Sequence, residues 1–97
     1  MIKVTYDSLD APSIAEEIDN IIKNLHNPDD YVLSLQLDYR DHNTIFYLKK
    51  VTEINFKENL LEIVQYNNSH AFFTYQSILE YCIINAQDII NLGEGII

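Results

Sequence analysis

Hydrophobic and polar positions alternate from the start of the chain. Ile2, Val4 and Tyr6 are interleaved with Lys3 and Thr5, which predicts a short opening strand. Asp10 and Pro12 then break the pattern. From Ser13 the period changes: Ile14, Ile18, Ile21, Ile22 and Leu25 recur at helical spacing. Glu16, Glu17, Asp19, Asn20, Lys23 and Asn24 fall on the opposite, wet side. Ser13 followed by Glu16 has the spacing of a capping box, and Pro28 disfavours helical backbone in the residue before it, which ends the element.

The period returns to two at Tyr31. Tyr31, Leu33, Leu35, Leu37 and Tyr39 share one face, and Val32, Ser34, Gln36, Asp38 and Arg40 the other, as in an antiparallel strand with one face in water. Asp41, His42 and Asn43 have turn chemistry. Residues 44–56 are rich in β-branched and aromatic side chains, and two further turn clusters at 57–59 and 67–69 separate strand-like runs at 60–66 and 70–75. Three turns between such runs predict a four-stranded meander. In the last third, Ser77 and Glu80 repeat the capping-box spacing and favour a helix within 77–91, with a closing strand at 81–84 as the alternative; Gly93 and Gly95 mark a fraying end. The pattern as a whole predicts one α+β domain over residues 1–97. In it, an antiparallel sheet of four to five strands (the N-terminal strand plus the meander) packs on one amphipathic helix, with a short C-terminal helix.

Composition bounds the function. The 97 residues are 47% hydrophobic with only two Gly and two Pro, so the chain is not a disordered one. No apolar run approaches the roughly 18 residues of a membrane-spanning helix, and the polar start has no signal-peptide character, which predicts a cytoplasmic protein. Six Lys and Arg stand against 15 Asp and Glu, for a formal charge of -9. Phosphate contacts need Lys and Arg, so nucleic acid and anionic membranes are disfavoured as direct partners. The charge is uneven: residues 1–41 carry nine acids against Lys3, Lys23 and Arg40, and residues 42–97 six acids against three lysines. An acidic first half of this kind would steer a basic partner at low salt.

Residues able to carry chemistry are sparse. His26, His42 and His70 sit at turns with no metal-ligand spacing, and surface or capping roles are expected of them. Cys82 lies in an apolar stretch and reads as a small buried hydrophobe. Both glycines lie in the tail, so no phosphate-cradling loop is expected, nor any cofactor or enzymatic activity. Seven tyrosines are enough for strand packing and also for interface anchors. Ile45, Phe46, Tyr47 and Leu48 are apolar on both strand faces, a pattern that suggests a homodimer covering one of them.

These features point to a small acidic interaction protein that inhibits or modulates a basic partner, such as a nucleic-acid-binding enzyme. Fifteen Ile and ten Asn against one Arg suggest an AT-rich genome of the low-GC bacterial or phage kind, where such domains act as anti-defence or immunity proteins. The contact residues expected are Asp29, Asp30, Asp38, Tyr39 and Asp41. An oligomeric assembly subunit and a small-ligand-binding domain are the two rival classes.

Overall fold

The computed structural model describes residues 2–7 and 12–91. The first sheet has the strand order β1 (Lys3–Tyr6), β4 (Val51–Phe56), β5 (Leu60–Gln65), β6 (His70–Thr74). It joins the expected N-terminal strand to a meander of three strands and not four, because the strand from Tyr31 lies in the other sheet, and β1 runs parallel to β4, pairing Val4 with Ile54 and Tyr6 with Phe56. A second sheet, not expected from the sequence, has the order β3 (Thr44–Tyr47), β2 (Tyr31–Leu37), β7 (Ile78–Asn85), all antiparallel. The amphipathic helix α1 spans Ser13–Asn24 and the short C-terminal helix α2 spans Ala86–Asn91. The α+β class and both helices are therefore as expected. The strands number seven among the described residues and divide between two sheets.

The division has a local cause. The β-prone run at 44–56 is not one strand: a 3-10 turn at Leu48–Lys50 bends the chain, and it leaves one sheet and enters the other. Leu48 stays buried at the bend, while Lys49 and Lys50 turn outward with their ammonium groups each 5.8 Å from the Tyr47 ring. The inner faces of both sheets then meet in one core. Ala15, Ile18 and Ile22 of α1 join Leu33, Leu35 and Leu37 of β2 and Ile54, Phe56, Leu61 and Ile63 of the first sheet. Phe46 of β3 and Phe73 of β6 contact edge to face, with ring centroids 5.8 Å apart.

Several expectations change in detail. The strands buried on both sides are β2 and β5, not the run beginning at Thr44: Val32 and Ser34 are buried on the second face of β2, where Val32 is flanked by Tyr47 and Ile84, and Glu62 and Val64 on that of β5. Val32 and Ile89 of α2 are both fully buried outside the main core, so the short helix supplies apolar side chain that a one-helix domain would lack. Residues 78–85 form β7 and not a helix, because their β-branched and aromatic side chains complete the ladder on β2, and the helix begins only at Ala86. Cys82 is exposed and not buried: it lies on β7, at the edge of the second sheet, on the face away from the main core. The capping box at Ser13 does not form: Pro12 is the N-cap, Ser13 is already helical, and no side chain caps the helix. Within α1, Ile21 of the apolar stripe is exposed and Asp19 of the wet side is buried, because the Tyr6 hydroxyl donates a hydrogen bond to its Oδ2 at 3.0 Å. The third predicted turn does form. Asn68 takes a left-handed φ of 63°, which asparagine tolerates better than most residues, and Asn67 Oδ1 accepts the Ser69 N–H at 3.0 Å. The reading of Gly93 and Gly95 falls outside the described residues.

Candidate functional site

The five residues singled out from the sequence lie at the two ends of β2. Asp29 and Asp30 belong to a 3-10 turn, Pro28–Asp30, that leads into the strand, and Asn27 Nδ2 donates to Asp30 Oδ2 at 3.0 Å. Asp38, Tyr39 and Asp41 lie in the turn that leaves it towards β3. Seven strand residues separate the two groups, about 23 Å at the usual rise per residue, so they are two surfaces and not one. All five are exposed.

Their electrical surroundings differ. The Pro28–Asp30 turn lies beside the Leu48–Lys50 turn, which carries Lys49 and Lys50. At the other end of β2, no ion pair among the described residues engages Asp38 or Asp41. Tyr39 between them is 60% exposed, with the Arg40 guanidinium 6.0 Å from its ring centroid. The Asp38 N–H donates to the Ser77 carbonyl at 2.9 Å, which fixes the backbone of this turn against the segment before β7.

Asp29 also lines a cleft of about 630 Å³ between the C-terminal end of α1, β1 and the two 3-10 turns. Ile2, Val4, Ile22, Leu25, Leu48 and Val51 give it an apolar lining, and Lys23, His26, Lys49 and Tyr66 add polar groups. The Asp19 carboxylate at its wall accepts the Tyr6 hydroxyl and pairs with Lys23 at 2.8 Å. That shared carboxylate raises the pKa of both the Tyr6 phenol and the Lys23 ammonium, through its hydrogen bond to each. Asp19 and Lys23 are thus partly neutralised by each other. Compared with known proteins, the chain matches no family model, no curated protein and no solved structure.

One polar cluster was missed in the sequence. On the outward face of the first sheet, the Glu62 side chain is only 9% exposed. Asn55 Nδ2 donates to its Oε1 at 3.0 Å, Lys57 Nζ lies 3.3 Å from the same oxygen, and His70 Nδ1 lies 2.7 Å from Oε2. Contacts that favour the charged form hold the carboxyl at about 2, with the His70 hydrogen bond the largest and the Asn55 hydrogen bond next. Polar Glu62 interrupting the apolar run at 60–64 was the only signal, and its partners become visible only once the register of β4, β5 and β6 is known. The cluster lines none of the hollows described, and its hydrogen bonds tie three strands together. Among the described residues no group of three or more His, Cys, Asp and Glu is placed to hold a metal ion. No helix among them is long and apolar enough to cross a membrane.

Proposed function

We propose that this protein is a small acidic interaction module, which binds a basic protein partner through the turn between β2 and β3. The observation that carries the reading is an exposed aromatic side chain, Tyr39, bracketed by the carboxylates of Asp38 and Asp41, which no lysine or arginine among the described residues pairs. Aromatic rings are frequent anchors of protein interfaces, and unpaired charges around them steer a partner of opposite sign and exclude one of the same sign. The turn near Asp29 and Asp30 is a weaker contact surface, because Lys49 and Lys50 stand next to it. A nucleic-acid-binding enzyme presents the basic groove that such a surface fits, so inhibition of an enzyme of that kind, as in an anti-defence or immunity protein, is the activity this reading favours.

The test is recovery of partners by the tagged chain from its host at low and high salt. A basic protein recovered at low salt and lost at high salt supports the reading. Charge reversal by Asp38→Lys with Asp41→Lys should abolish that recovery while leaving the melting temperature within about 2 °C, as surface changes away from buried groups do. Binding that survives the double change at physiological salt refutes it.

The cleft favours a second reading, a small-ligand-binding domain. Its volume lies within the range of about 300–1,000 Å³ usual for ligand sites, and its lining divides evenly between apolar side chains and polar or charged ones. A ligand held there would raise the melting temperature in proportion to the logarithm of its concentration.

A further inference from the structure

The strand β6 ends the first sheet, and among the described residues no strand pairs with its outer edge. The hairpin before it determines which backbone groups face that edge. Gln65 N–H donates to the Ser69 carbonyl at 3.0 Å, so 65 and 69 form a bonded pair. The register then continues without a shift through Val64 with His70, Ile63 with Ala71, Glu62 with Phe72, Leu61 with Phe73 and Leu60 with Thr74. Bonded and non-bonded pairs alternate along an antiparallel ladder. Ala71 and Phe73 therefore turn their N–H and C=O groups towards β5, and His70, Phe72 and Thr74 turn theirs outward.

Sheet edges are usually guarded by a charged side chain, a proline or a bulge. The residues His70, Ala71, Phe72, Phe73 and Thr74 include no Lys, Arg, Asp, Glu or Pro, and their ladder is regular. The other edges are better guarded: β1 has only four residues and carries Lys3, β3 also has only four, and β7 has a register shift against β2 and carries Glu80. At the midpoint of β6, the Phe72 side chain is 54% exposed, stacked on the His70 ring with centroids 6.3 Å apart. The carboxylate directly opposite it on β5, Glu62, is already matched by Lys57 and His70. On a chain of charge -9 this is a neutral apolar edge. It offers nothing to a basic partner, and it is where a second copy of the same acidic chain meets least repulsion.

We propose that β6 pairs antiparallel with β6 of a second copy, joining two four-stranded sheets into one of eight strands. Symmetry and the outward-facing groups fix the register. Only outward-facing residues can bond across the edge, and full overlap of the five residues sets Phe72 opposite Phe72 of the second copy and His70 opposite Thr74. Thr74 C=O already accepts Ser77 Oγ at 2.8 Å. Four bonds remain that need no shared acceptor: two between the Phe72 backbones, and two from Thr74 N–H to the His70 carbonyls. The Phe72 rings then cover each other on the outer face.

This proposal does not rest on the acidic-turn reading, and salt separates the two. Screening strengthens association between like-charged copies and weakens binding of a basic partner. The experiment is sedimentation equilibrium of the full chain, with two variants that spare the fold. Phe72→Lys places a charge on an exposed site. Thr74→Pro suits a residue whose φ is already -70° and whose N–H faces outward, so no bond to β5 is lost. The expected result is twice the chain mass for the natural sequence, with a dissociation constant that falls as salt rises. Both variants should be monomers with an unchanged circular dichroism spectrum. A monomer at millimolar concentration, or a dimer that persists in either variant, overturns the proposal.

Discussion

Tyr75 lies just beyond β6, yet its hydroxyl reaches the hairpin between β4 and β5. It is 2.5 Å from the Lys57 carbonyl and 3.0 Å from the Leu60 carbonyl. Tyr75→Phe removes this link and keeps the ring. The single hydroxyl proton can satisfy only one acceptor fully. The Leu60 carbonyl also accepts the Lys57 N–H at 2.9 Å, so it keeps a partner in the variant. Lys57 is exposed, so its carbonyl regains water. No buried acceptor is orphaned, and the loss is that of one ordinary hydrogen bond, about 1 kcal/mol. For a domain of this size that is a fall of about 4–8 °C in melting temperature. Urea unfolding followed by circular dichroism measures it, with the slope expected to stay constant because the exposed area on unfolding is the same. Burial raises the phenol above its ordinary value of 10.0, so the difference between the two proteins should persist up to that pH. A loss above about 3 kcal/mol would mean that a carbonyl is stranded after all, and a loss below about 0.3 kcal/mol that the hydroxyl bonds water instead.

Two further predictions use the same assay. The Glu62 carboxyl is held at about 2 against 4.5 when unperturbed, so its contribution is fully present above pH 4.5 and is lost as the pH falls towards 2. Glu62→Gln should therefore lower stability at pH 6, and the gap to the natural protein should narrow between pH 4.5 and 2; a gap that stays constant with pH removes the carboxylate from the account. Ser13→Ala should be nearly neutral, within about 0.5 kcal/mol, because Ser13 makes no capping bond; a loss of about 1 kcal/mol would instead indicate a working cap.

The sequence was most legible where one residue's environment is set by its near neighbours. The stripe of Ile14, Ile18 and Ile22 marked α1, the alternation from Tyr31 marked β2, and Asn67 to Ser69 marked a turn that forms through their own side chains. It was least legible where distant segments decide. A run such as Ile78 to Asn85 supports strand or helix by itself, and only β2 lying ready to pair with it makes it a strand. Nothing local tells Leu48 that the chain should change sheets there. The same limit holds for the candidate site. Asp29, Asp30, Asp38, Tyr39 and Asp41 were legible as exposed turn residues, but the separation of the two groups by the length of β2 was not. Nor was the placing of Lys49 and Lys50 next to one of them. Glu62 was hidden for the same reason, since Asn55, Lys57 and His70 reach it across strand pairs.

The connectivity of the second sheet also has a consequence in time. Its central strand finds its two neighbours very unequally: Val32 pairs with Tyr47 nearby in the chain, whereas Tyr31 pairs with Asn85, 54 positions later. At about 5–20 residues per second, synthesis needs roughly 3–11 s to deliver that second neighbour. Throughout that interval β2, whose residues are buried on both faces in the folded domain, has emerged with one side of its ladder open. The parallel pairing of Lys3 with Glu53 imposes a similar wait on β1. Such non-local pairings slow folding, because loop-closure entropy is lost before the contact that compensates for it is made. The nascent chain is thus most exposed to aggregation after β2 has been made and before β7 arrives.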